Sequence, residues 1–167
     1  MTYSYHPNIE LAIRSIKGQE SFQYEVDAAA IFMRWWPQYV YVHTDKTKPI
    51  YFDAYLTKDG KNVAIVETKC RYDMDYKTFV AVRKNKWMLT EQKLLRNAII
   101  CANLRLPLYG FLYFTQCKTL LVRQLGERTG RLREYERRKT TTTATINGGS
   151  ITAWNAFIDM RDSRKMI

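Results

Sequence analysis

Two strand-like runs separated by a tight turn constrain this chain's fold more than any other feature. IYFDAYLT covers residues 50–57, KDGK covers 58–61, and NVAIVETKC covers 62–70. β-Branched and aromatic residues dominate both runs, and Asp-Gly between such runs is a strong hairpin signal. The hairpin also carries a puzzle. Asp53 interrupts the first run and Glu67 the second, each among apolar neighbours. A charge removed from water needs a partner. Counted from Asp59-Gly60, the two acids lie at about the same distance from the turn and fall side by side. Carboxylates opposed across a ladder repel. A hard divalent cation between them removes the repulsion, because Mg²⁺ binds through one or two carboxylates and keeps several waters. Glu67 and Lys69 are two residues apart and project to one face, with Thr68 on the other. A lysine there can position an attacking water or offset negative charge building on a phosphate.

The rest of the chain supplies the frame. Residues 1–18 read as an N-terminal arm with room for one short helix. From Glu20 to Trp36, Phe22, Val26, Ala29, Met33 and Trp36 recur by threes and fours until Pro37; this is a helical period. YVYVHT (39–44) reads as a strand and DKTKP (45–49) as a loop. Residues 71–87 are polar and basic without a clean period, and read as a loop or flap. Thr90 is a good N-cap for a second helix reaching about Asn103, with Glu91 at its positive end and Leu89 and Leu94 placed as a staple. LYGFLYF (108–114) and TLLVRQL (119–125) are two further strands, and residues 139–158 form a terminal hairpin around Asn147-Gly148-Gly149. The order of helix, three strands, helix and further strands predicts an α/β or α+β sheet with helices packed on it.

This constellation resembles the PD-(D/E)XK nuclease superfamily, whose signature is an acid on one strand, a turn, then (D/E)-X-K on the next. Here it reads Asp53, thirteen intervening residues, then Glu67-Thr68-Lys69. The proline that often precedes the first acid is replaced by Phe52. The resemblance implies a restriction-endonuclease-like core: a central mixed sheet flanked by helices, here extended by a C-terminal β-hairpin. It implies a core over 19–125, with 126–167 a basic extension packed on the same single domain. It assigns Mg²⁺ or Mn²⁺ to Asp53, Glu67 and the main-chain carbonyl of Thr68, and a catalytic role to Lys69. Many members add a glutamate from the first helix. At about 100° per residue with Phe22 as zero, the apolar stripe lies within about 40° of zero, Glu25 near −60°, and Glu20 and Asp27 near 160° and 140°. Glu25 is therefore the expected third acid. On the second helix Gln92, Leu95, Ile99 and Ala102 share a face, and Gln92 is expected to support the site. The tyrosine that some branches place four residues after that glutamine is Arg96 here, a candidate phosphate contact.

Composition narrows the partner. Lys and Arg number 27 against 16 Asp and Glu, a net charge of +11. That excess points to a polyanion. No apolar run is long enough to span a bilayer, and the N-terminal stretch lacks a signal-peptide layout, so nucleic acid is expected rather than a membrane. Arg83, Lys84 and Lys86 stand beside Trp87 before the second helix, and Arg137, Arg138 and Lys139 close the basic run 128–139; all six are candidate nucleic-acid contacts. Cys70, Cys101 and Cys117 are too few and too dispersed for a disulfide framework or a cysteine zinc site, which fits a reducing cytoplasm. His6 and His43 are lone histidines, read as surface or structural. The expected activity is a metal-dependent nuclease, with DNA ahead of RNA as substrate. A homodimer is compatible with it, as is a phage or mobile-element protein acting inside a host cell. The rival reading is a non-catalytic nucleic-acid-binding or assembly subunit with a nuclease-like fold.

Overall fold

The computed structural model describes residues 15–48, 50–142 and 150–167. Its elements run α1 (Ile16–Trp35), β1 (Val40–His43), β2 (Ala54–Lys58), β3 (Lys61–Arg71), α2 (Tyr76–Arg83), β4 (Lys86–Thr90), α3 (Glu91–Leu104), β5 (Leu108–Phe114), β6 (Thr119–Gly126), β7 (Glu136–Thr142), β8 (Ile151–Asp159) and β9 (Arg164–Met166). Six strands form one mixed sheet in the order β1-β2-β3-β5-β6-β9, and three form a second in the order β4-β8-β7. Only β3 and β5 pair in parallel in the six-stranded sheet; its other pairs are antiparallel. The protein is thus α/β, with a mixed six-stranded sheet flanked by helices.

The β2–β3 hairpin closes as the sequence predicts. Asp59 (φ 51°) and Gly60 (φ 73°) both adopt left-handed backbone between the paired Lys58 and Lys61, the geometry that matches strand twist in a two-residue turn. A register shift between Leu56 and Thr57 makes one residue of β3 unmatched: Leu56 faces Ala64 but Thr57 faces Asn62. This bulge brings the acids level. With Ala54 opposite Val66, the next step along places Asp53 opposite Glu67.

The sheet has a core on each face. On one side Ala28 and Phe32 of α1 pack with Val66, Phe111 and Val122. On the other Ile65, Leu112 and Leu121 pack with Leu94 of α3 and with Trp87, Leu89 and Ile158 of the smaller sheet. Paired residues of neighbouring strands share a face, so Glu67, opposite Gly110, and Lys69, opposite Leu112, belong to the second side.

Several expectations are corrected. Residues 16–18, assigned to an arm, belong to α1, whose N-cap Ser15 accepts a hydrogen bond from Gly18 N–H at 3.0 Å; residues 1–14 lie outside the described residues. The stretch 71–87 is not a loop. Asp75 caps α2 by accepting from Thr78 N–H at 2.7 Å, and β4 follows with Trp87 and Leu89 buried and Met88 exposed. A two-turn helix with one buried residue, Phe79, is too short to show a period. The first hairpin strand begins at Ala54 rather than at residue 50. The terminal hairpin exists as β7 paired with β8, but β7 starts at Glu136, and the apex around Asn147 lies outside the described residues. The extension 126–167 is interwoven with the core: β4 pairs with β8, and β9 closes the main sheet against β6. Ala156, Ile158 and Met160 share one core with Ile65 and Leu112.

Candidate active site

β2 begins at Ala54, whereas β3 continues past its partner Val66 to Arg71. The departing chain leaves the edge of β3 open from Glu67 onward, and three acids gather there. Asp53 N–H still donates to Val66 C=O at 2.8 Å. Its Oδ2 accepts from Thr68 N–H at 2.7 Å. Within a strand the N–H and C=O of one residue point to the same edge, so the carbonyl of Thr68 faces the same opening. The Thr68 side chain, on the opposite face from Glu67, meets Tyr41 OH at 2.8 Å.

Glu25 reaches the opening from α1. The buried residues of that helix are Ala28, Ala29, Ile31 and Phe32, while Phe22 is exposed. The inward face is therefore rotated from the predicted stripe, and Glu25 lies near its middle rather than its edge. Glu20 is exposed, and Asp27 accepts from Gln23 Nε2 at 3.0 Å. Lys46 Nζ sits 2.9 Å from Glu25 Oε2 and 2.9 Å from Asp53 Oδ1, so one ammonium bridges two carboxylates. It donates a well-aligned hydrogen bond to Asp53. The Glu25 contact is an ion pair without that alignment, leaving Glu25 Oε2 buried and without a hydrogen bond among the described residues. His43 Nδ1 is likewise buried and unbonded there, 3.9 Å from the same oxygen.

Glu67 is 2% exposed. Lys93 Nζ lies 2.5 Å from its Oε1, and Asn97 Nδ2 makes a long 3.5 Å contact to Oε2. Burial, with Asp53 adding to it, pushes the Glu67 carboxyl up to about 8 against the pull of Lys93. Burial and then Asp53 also raise Glu25, opposed by Lys46. Burial alone would lower both lysines, but the acids beside them hold each above its ordinary value. Burial, with Lys46 adding to it, holds His43 low. Burial and the Asp53 charge raise the two glutamates, and attraction to the acids outweighs burial at the two lysines.

Of the sequence-predicted residues, Glu25, Asp53, Glu67 and Thr68 come together. Lys69 is exposed on the Glu67 face, one alternate position along β3. Gln92 is a correction: the inner face of α3 is Glu91, Leu94, Asn97 and Cys101, and Gln92, Leu95, Ile99 and Ala102 face solvent. The hydrophobic signal misled here because Leu95 and Ile99 are apolar yet 45% and 63% exposed. Arg96 stacks over Tyr51, its Cζ 5.0 Å from the ring centroid. Arg137 is held by buried Glu91, donating from Nε at 2.8 Å to both oxygens, with its Cζ 3.8 Å over Trp154; that engagement is structural. Lys86 pairs with Asp159 and Arg138 with Glu136. Arg83, Lys84 and Lys139 are exposed. Sequence reasoning missed Lys46, Lys93, Asn97 and the placement of His43. For Asn97 a signal existed, since it lies three residues after Leu94 and four before Cys101. Lys46, in a polar loop, carried none.

A divalent cation is the group that the resemblance implies. Among the described residues no three His, Cys, Asp or Glu side chains are gathered at ligand spacing. The donor chemistry nevertheless fits. All three acids offer oxygen, a cation already lodges between Glu25 and Asp53 in the form of Lys46, and one buried oxygen of Glu25 lacks a hydrogen bond. Mg²⁺ needs only one or two carboxylates beyond its waters. Comparison with protein-family models, curated proteins and solved structures returned no match. Among the described residues no helix is long and apolar enough to cross a membrane.

Proposed function

We propose that the protein is a metal-dependent nuclease that hydrolyses phosphodiester bonds, with DNA the expected substrate and a restriction-endonuclease-like arrangement as its frame. One observation carries this reading: Glu25, Asp53 and Glu67, from a helix, a strand entrance and a strand interior, converge where β2 leaves β3. A stability role explains this poorly. Asp53 raises the proton affinity of both Glu25 and Glu67, and such a cluster weakens a fold unless something cationic is held within it. Asp53, Glu67 and the Thr68 carbonyl would hold Mg²⁺ or Mn²⁺, with Glu25 facing its waters. Bound there, the ion would polarise the phosphate and make water a stronger nucleophile. Glu67 would serve as a ligand in its ionised form, which Lys93 would orient. Asp53 is fixed by Thr68 N–H. Lys46 moves away from the acids or remains as a counter-charge to the phosphate. Lys69, on the Glu67 face, offsets negative charge as the bond breaks.

A second reading has an observation of its own. Lys46 and Lys93 already neutralise the acids without a metal, as they would in a binding subunit that does not cut. The test is Mg²⁺ and Mn²⁺ calorimetry with a cleavage panel of linear duplex, plasmid, single strand, four-way junction and RNA. Divalent binding with metal-dependent cutting of any of these is expected. Absence of both favours the binding subunit.

A further inference from the structure

Beyond the acids, the Glu67 face of β3 leads to a cleft. Its volume is about 320 Å³, and Arg71, Arg83, Lys84, Lys86 and Arg138 stand around it. No acid lines it. Arg71, Lys86 and Arg138 are balanced from outside by Asp73, Asp159 and Glu136. Arg83 and Lys84 have no acidic partner among the described residues. The cleft wall is apolar: Phe157, Met88 and Val82 line it, and the last two are 41% and 66% exposed. Trp87 lines it as well. Its ring is 3% exposed, and its indole Nε1 is buried with no acceptor among the described residues. The Arg138 guanidinium lies over Phe157, its Cζ 4.5 Å from the ring centroid.

These features call for a ligand that is anionic and has a flat apolar part. The cations answer phosphate, and the Phe157–Arg138 stack offers a surface for a base. A duplex presents mainly sugar and phosphate to a protein surface and has no use for an apolar recess of this size. An unpaired nucleotide does. The cleft is also aligned with the acids. Glu67, Lys69 and Arg71 alternate along one face, so Arg71 lies roughly 13 Å from Glu67. That is about four nucleotides at the per-strand rise of B-form DNA, and fewer for a stretched strand.

We infer that this cleft receives a nucleotide of an unpaired strand, so that the preferred substrate is a duplex bearing a single-stranded tail. This rests on the nuclease reading for what happens at the acids, but the binding step does not need it. The experiment measures affinity by fluorescence anisotropy in EDTA for a blunt duplex, the same duplex with a single-stranded tail, and the tail alone. Cleavage of both duplexes in Mg²⁺ is followed in parallel. The tailed duplex is expected to bind about tenfold more tightly than the blunt one, the scale of one base stacked on an aromatic. R83A/K84A should lose most of that ratio. F157L, which keeps the cations and an apolar side chain, should lose part of it. An equal affinity for tailed and blunt duplexes overturns the inference, as does an unchanged ratio in both variants. Full displacement of the tail by inorganic phosphate would reduce the cleft to a phosphate site and overturn the nucleotide assignment. Tail preference without any cleavage would leave the cleft standing and remove the nuclease reading. Cleavage without tail preference would do the reverse.

Discussion

Asp53 Oδ2 accepts a hydrogen bond from the Thr68 main-chain N–H at 2.7 Å, and this contact ties the entrance of β2 to the part of β3 that β2 no longer covers. Under the proposed function Asp53 has two tasks, an acceptor for the fold and a charge for the chemistry. Substitutions can separate them.

D53N keeps an acceptor oxygen for Thr68 N–H and loses the charge. It is expected to melt close to the wild type while cleavage falls about a hundredfold or more, the size seen when one preorganised electrostatic group is removed. D53A loses both tasks and should also melt lower. On α1, E25Q should reduce cleavage far more than E20Q, because Glu25 faces Asp53 across Lys46 and Glu20 faces solvent. A nicking assay beside thermal melts checks all four. Full activity in D53N would defeat the metal assignment.

Lys46 is the counter-ion of Glu25 and Asp53, and Lys93 that of Glu67. K46M removes the cation between Glu25 and Asp53 and should lower the melting temperature in EDTA, and K93M, which removes the partner of Glu67, should do so above pH about 8, where Glu67 is ionised. For a chain of this size each kcal/mol lost moves it about 2–4 °C. Mg²⁺ should recover more of the loss in the variants than it adds to the wild type, since a ligand that binds only the folded state stabilises it by mass action. A Mg²⁺ shift no larger in the variants would show that the lysines and the cation do not share those acids.

Glu67 gives the metal-free protein a pH dependence of known sign. Its folded value of about 8 lies above the ordinary 4.5. Between those values the folded state keeps a proton that the unfolded state has released, so stability falls as pH rises through the window and levels off above it. E67Q lacks the titrating group. The difference in unfolding free energy, wild type minus E67Q, should therefore decline from pH 5 to about 8. Denaturant melts in EDTA at several pH values measure it, and a difference that rises over this range contradicts the burial argument.

Gly110 faces Glu67 across the parallel pair and lies beneath Trp87. A Cβ there would come 2.4 Å from Trp87 Cζ3 and 2.7 Å from Leu125 Cδ1. G110A should therefore destabilise by about 1–3 kcal/mol, the range for overpacking a filled core. An unaltered melt would mean the indole can shift at little cost.

How much of this was legible depended on whether the signal was local. The β2–β3 hairpin was, because Asp59-Gly60 announces its turn and two apolar runs flank it. Asp53 and Glu67 were too, since each stands out against apolar neighbours, whereas Glu25 needed the helical phase to separate it from Glu20 and Asp27. The existence of α3 was readable from Thr90 and Glu91, but its phase was not: Leu95 and Ile99 look like core and face water, while Lys93 and Asn97 look like surface and meet Glu67. A buried polar residue is invisible to a hydrophobic period unless its partner is known. Lys46 shows the same limit, a loop lysine whose two partners lie on other elements. The smaller sheet was hidden because β4 is five residues long and its partner β8 lies near the other end of the sequence.

That last pairing sets the order in which the molecule can assemble. The β2–β3 and β5–β6 hairpins join neighbours in the chain and can close early. Trp87 meets Ile158 only after the long intervening stretch has been brought back on itself, and non-local pairings of this kind form slowly because loop closure must come first. The acids can therefore be gathered on β2 and β3 before the layer that shelters Glu67 from water is complete. In pulse-labelled hydrogen exchange during refolding, the amides of β3 are expected to gain protection before those of β4. The burial that raises the proton affinity of Glu67 is complete only once that layer has docked.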